Sequence, residues 1–126
     1  MTKMARRVQQ VAGALIIVCS STAISARAQQ SSGEQQFQRR CASCHSMEPD
    51  QNRAGPHLSG IVGRRAGAVE DANYSDALRE SGIVWDEEAL NSFLSNPRDM
   101  VPGSRMTFRV ADAEDRQAIV EYLLRK

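Results

Sequence analysis

The chain has 126 residues, enough for one domain, with 16 basic and 15 acidic residues, three cysteines and six aromatic side chains. Its formal net charge is +1, but Lys3, Arg6, Arg7 and Arg27 all stand in the first 28 residues, so twelve basic residues face 15 acidic ones in the remainder, a net −3. That balance excludes nucleic-acid binding by bulk charge.

The N-terminal stretch reads as a leader. Lys3, Arg6 and Arg7 precede an apolar run from Val11 to Cys19, which gives way to small and polar residues ending at Ala26-Arg27-Ala28. This is the layout of a secretory signal peptide with an A-x-A cleavage site, and the run is too short to span a bilayer. The expected organisation is a signal peptide over 1–28 and one domain over 29–126, exported to the periplasm and without stable membrane insertion. The competing reading is an uncleaved anchoring helix. A lipid anchor on Cys19 is disfavoured by the bulk of Val18 before it. Cleavage after Ala28 leaves Cys41 and Cys44 as the only thiols.

From Ser32 the pattern is helical. Ser32 is placed to cap with Gln35 three residues later, and Phe37 and Cys41 fall at i and i+4. Met47 to Gly67 is rich in Gly, Pro, Asn and Arg and lacks an apolar period, which predicts a long irregular loop. Such a loop is uncommon in a small domain unless it wraps something. Ser75 to Gly82 predicts a short helix with a Ser cap and a terminal Gly. Asp86 caps a longer one with Leu90, Phe93 and Leu94 inward, which Asn96-Pro97 ends. Asp112 caps the last, with Ile119, Tyr122 and Leu123 inward. The apolar inventory is thin for a domain of this size, which needs help to form a core.

Cys41-Ala42-Ser43-Cys44-His45 is the C-x-x-C-H signature of covalent haem c attachment. Cysteines at i and i+3 share one face of a helical turn, so both sulfurs reach one edge of a porphyrin. A zinc site would need more Cys or His than His57 supplies, and a thioredoxin-like dithiol would need a βαβ context. One motif implies one haem, which would also supply the missing core. With His45 on iron, Met47, Met100, Met106 and His57 are candidates for the sixth position; Met100 and Met106 lie far enough downstream to approach from the opposite face.

Pro102-Gly103-Ser104-Arg105-Met106-Thr107-Phe108, after Asn96-Pro97 and before a helix with Tyr122, resembles the methionine-ligand loop of class I cytochromes c, the mitochondrial and bacterial soluble type. In family order the resemblance takes in Gly33, Phe37, the haem motif, Gly55-Pro56, Gly63-Arg64, Tyr74-Ser75, Trp85 and the Pro-Gly-x-x-Met loop. It implies an all-α fold of about four helices and long loops around one haem. It implies His45 and Met106 as iron ligands, Cys41 and Cys44 as attachment points, and Pro56 carbonyl as acceptor for the far nitrogen of His45. Arg64, Tyr74 and Trp85 would surround a buried propionate, and Gly33 and Phe37 would pack on the last helix. Phe93 stands where many relatives have tyrosine, Ser104 where threonine is common, and His57 where Asn is usual. His57 reads as a loop residue.

The function implied is a soluble, monomeric periplasmic one-electron carrier, not an enzyme, serving a respiratory chain; the alternative is a haem subunit docked to a periplasmic dehydrogenase or sulfur-oxidising enzyme. A soft thioether on iron favours the ferrous state. Redox partners would dock at the haem edge near the cysteines, through Arg39, Arg40, Arg53, Arg98 and Arg105.

Overall fold

The computed structural model describes residues 32–126, so the expected signal segment and its cleavage site lie outside the described residues. Five helical segments follow in order: α1 over residues 32–40, α2 Asp76–Glu80, α3 Glu87–Ser95, α4 Pro97–Met100 and α5 Ala113–Leu124. Among the described residues the only β-type pairing is an isolated antiparallel bridge between Arg65 and Val84.

Three of the expected caps form. The Ser75 hydroxyl accepts from the Leu78 N–H at 3.1 Å, Asp86 from Ala89 at 2.8 Å and Asp112 from Asp115 at 2.9 Å. Each satisfies a donor that a helix start leaves open. Ser32, by contrast, is already helical rather than capping. Asn96 ends α3 in an extended conformation, and Pro97 then begins a further turn, α4, that the sequence reading did not anticipate. Proline with its preset φ suits a first helical position.

The core forms where α5 crosses α1 and α3. Phe37, Leu90, Phe93, Leu94, Ile119, Tyr122 and Leu123 are all buried, joined by Val110 and Val120. The Phe37 and Tyr122 rings meet at 5.4 Å between centroids. Gly33 lies against α5 so closely that a Cβ there would collide with the Ala118 carbonyl oxygen and stand 2.9 Å from Tyr122 Cβ. At the end of α1, Arg40 pairs with Asp115 at 2.6 Å, and Gln36 donates to the same carboxylate at 2.7 Å. These contacts hold the turn after α1 against the C-terminal helix.

Since the obstruction at Gly33 is backbone rather than a flexible side-chain tip, Gly33→Ala is expected to force α1 and α5 apart. The expected loss is about 1–3 kcal/mol of unfolding free energy, measured by denaturant titration.

Candidate cofactor site

The turn after α1 carries both cysteines. Cys41 N donates to Phe37 O at 2.8 Å, Cys44 N to Cys41 O at 3.0 Å and His45 N to Cys41 O at 2.9 Å, so helical bonding runs on through the motif. Cys41 is buried and Cys44 exposed, and both thiols are free. Burial pushes the Cys41 thiol up to about 11, against the pull of Arg40 and with the help of Cys44. A redox dithiol needs the opposite shift, because the thiolate is the reactive form. Among the described residues no group of three or more His, Cys, Asp or Glu gathers as a cluster able to hold a metal ion.

His45 is held from one side only. Its Nδ1 lies 2.7 Å from the Pro56 carbonyl oxygen, which makes that nitrogen the donor and leaves Nε2 with its lone pair. Burial lowers the ring's basicity, the Pro56 bond opposing, so the neutral form that binds metal is favoured. The loop reaches this position through Gly55 N to Cys44 O at 2.8 Å and Leu58 N to Ser46 O at 2.8 Å. A Cβ on Gly55 would lie 2.5 Å from His45 Cε1, so only glycine lets the loop pass the ring.

The other pocket residues are assembled from distant segments. Gly63 N donates to Trp85 O at 2.7 Å, Trp85 N to Arg64 O at 2.9 Å and Ala66 N to Ile83 O at 2.8 Å, which sets Arg64 beside Trp85. The Arg64 guanidinium donates to the carbonyls of His57 at 2.8 Å and Ser59 at 3.1 Å. Burial lowers its pKa, and Tyr74 opposes the shift. Its Nε stays buried without a partner. Tyr74 and Trp85 are both buried, and the Trp85 edge meets Phe93 at 5.1 Å. The Phe93 ring is thus packed against the tryptophan.

The loop bearing Met106 is tied at both ends. Val101 N donates to Pro97 O at 2.9 Å and Val110 N to Leu94 O at 2.8 Å, and both valines are buried. Met106 is half-buried against the core, as is Met100. Ser104, only 3% exposed, donates its hydroxyl to the Met106 carbonyl at 3.3 Å.

Of the five arginines expected to ring the docking edge, Arg40 is committed to Asp115 because the α1–α5 crossing brings that carboxylate alongside. Arg53 donates to the Ala42 carbonyl and Arg105 to Asn73, while both remain exposed; Arg39 and Arg98 are exposed as well.

Two residues gain roles the sequence reading missed. Asn52 accepts from His57 N at 3.0 Å and donates to Glu70 O at 2.9 Å, linking two loops 18 residues apart. His57, read as a plain loop residue, is half-buried and lines a cavity. No periodicity signals either, since both stand singly in irregular chain.

Free thiols one helical turn apart, an imidazole held by its far nitrogen and a buried guanidinium N–H without a partner together fit a covalently attached, carboxylate-bearing porphyrin. Fold and site define a small all-α domain wrapped around a prosthetic group. The Cytochrome c family profile matches residues 30–125. Cytochrome c of Gibberella zeae is 41% identical over 93 residues, covering 72% of this chain and 88% of that protein. Cytochrome c2 of Blastochloris viridis is 37% identical over 110 residues, covering 86% and 84%. Cytochrome cH from Methylobacterium extorquens superposes with a TM-score of 0.70 at 36% identity, covering 77% of this chain and 98% of that one. The chain belongs to the class I cytochrome c family, haem-containing electron carriers, and its cofactor is covalently bound haem c with iron.

With two loops depending on its amide, Asn52→Ala is expected to cost about 1–3 kcal/mol of unfolding free energy, while Asn52→Asp keeps the acceptor and loses only the donor. Thermal unfolding of the two variants checks the order.

Proposed function

We propose that this protein is a periplasmic one-electron carrier whose haem is attached through Cys41 and Cys44 and ligated by His45 and Met106. The observation that carries the reading is the Nδ1 of His45 on the Pro56 carbonyl at 2.7 Å, directly after the two free thiols. When bound, the haem supplies a one-electron Fe(II)/Fe(III) couple.

A few residues of the chain would make that couple fast and selective. Pro56 fixes the His45 tautomer and raises its basicity towards metal. The anchored loop from Val101 to Val110 presents Met106 as a soft thioether that favours the ferrous state. With His45 and Met106 both holding the iron, substrates would be kept from it. Arg64, with Tyr74 and Trp85 beside it, offers charge and donors to a carboxylate that would be costly to bury alone. Phe93, packed on Trp85, has no hydroxyl to donate to a ligand sulfur, unlike the tyrosine that many relatives have there.

Export follows from the leader: cleavage after Ala28 delivers residues 29–126 to the periplasm. Among the described residues no helix is long and apolar enough to cross a membrane. Docking of an acidic redox partner at the haem edge falls to Arg39, Arg53, Arg98 and Arg105, all of them exposed, while Arg40 serves the α1–α5 packing.

Mass analysis of the exported protein should give residues 29–126 plus one haem, and Met106→Ala should lose the weak red absorption of a methionine–iron bond and bind carbon monoxide when reduced. Wild-type protein that binds carbon monoxide as readily as the variant would overturn the His/Met reading. For docking, Arg39→Glu with Arg98→Glu should slow electron transfer to an acidic partner by on the order of tenfold at low salt, the difference vanishing at high salt. Rates independent of both the substitutions and ionic strength would refute electrostatic docking.

A further inference from the structure

The loop that carries Met106 is held differently at its two ends. At its start Val101 N donates to Pro97 O, Ser104 N to Val101 O and the Arg105 guanidinium to Asn73. Beyond Met106 the chain runs through Thr107, Phe108 and Arg109, all exposed, before it returns to the core at the fully buried Val110. Val110 N bonds to Leu94 O on α3, but no backbone N–H among the described residues reaches the carbonyls of Val110 or Ala111.

A side chain from the C-terminal helix takes both. Arg116 Nη1 donates to Val110 O at 2.8 Å and to Ala111 O at 3.2 Å, and its Nε donates to Asn91 Oδ1 at 2.7 Å. The planar guanidinium thus joins α5, α3 and the end of the loop, with its donors fixed in one fork. Bonds from a charged donor are stronger than neutral ones, and losing this one would leave the carbonyl of a buried valine unpaired. Arg116 is not among the residues that would touch the haem; it acts on the chain four residues beyond Met106.

We propose that Arg116 is a positioning residue for Met106: by clamping the end of the loop to α3 and α5 it keeps the thioether on the iron and closes the sixth position to small bases from solvent. The proposal rests on Met106 being the iron ligand. A competing ligand binds in proportion to the fraction of molecules in which the loop is open, so loss of the clamp shows as tighter binding of that ligand.

The test is titration of the ferric, haem-loaded protein with imidazole, for wild type, Arg116→Met, Asn91→Ala, Met106→Ala and Asp86→Ala. The weak red methionine–iron absorption and the helix content by circular dichroism are recorded on each. Arg116→Met keeps an apolar stem without the donors, and should bind imidazole on the order of tenfold more tightly, with a weakened red absorption and unchanged helix content. Asn91→Ala removes one arm of the clamp and should shift the affinity the same way by less. Asp86→Ala loses the α3 cap, which bonds only within that helix, and should keep the wild-type affinity, separating the clamp from a general loss of stability. A folded Arg116→Met with wild-type affinity and red absorption overturns the role of Arg116, as does an affinity raised equally in Asp86→Ala. If Arg116→Met does not fold, wild-type affinity in Asn91→Ala overturns it. Red absorption and affinity unchanged in Met106→Ala would instead overturn Met106 as the ligand.

Discussion

The geometry of the site depends on the close crossing of α1 over α5 at Gly33. Because no Cβ intervenes, the two backbones approach until Gly33 meets the Ala118 carbonyl, and Phe37 then reaches Tyr122. The turn with Cys41 and Cys44 is tied to the end of α1 by the bonds of Cys41 and Ala42 to Phe37 and of Cys44 and His45 to Cys41, so whatever orients α1 orients both thiols and His45. Arg40, at the last residue of the helix, ties this end to Asp115. The attachment chemistry at one end of the chain is therefore positioned by a helix at the other.

From that fixed turn the rest of the pocket is built outward by backbone hydrogen bonds rather than by apolar layers. Gly55 and Leu58 bond back to Cys44 and Ser46, which brings the Pro56 carbonyl to His45. The Arg64–Trp85 pairing and the Asn52 link to Glu70 then close the second loop over the first. Such a scaffold suits a domain with few large apolar residues: loops that would otherwise carry unsatisfied polar groups satisfy them against one another and leave a lined space for a cofactor. The raised Cys41 thiol fits the same design, since a buried sulfur that stays protonated is passive until it is covalently used.

The helices were legible one by one because their signals are local. Ser75, Asp86 and Asp112 cap where their side chains suggest, and Leu90, Phe93, Leu94, Ile119 and Tyr122 are buried on the faces their spacing marks. The turn of α4 was missed because Pro97, a stop for α3, serves equally as a start. Ser32, expected to cap, is itself helical. Arg40 read as a free surface cation because its partner, Asp115, lies 75 residues away. His57 and Asn52 gave no sign at all: a lone polar residue in irregular chain has no period to betray it.

By itself the sequence determined the attachment motif, the helical class and the resemblance to class I cytochromes c, because each is written in residues close together or in a fixed order along the chain. Only the tertiary structure decided which arginines are spent on packing and which buried side-chain nitrogens are left without partners. Those outcomes turn on contacts between residues far apart in sequence. The C-x-x-C-H motif names the chemistry, and the crossing of α1 on α5 and the Pro56 carbonyl give it a direction.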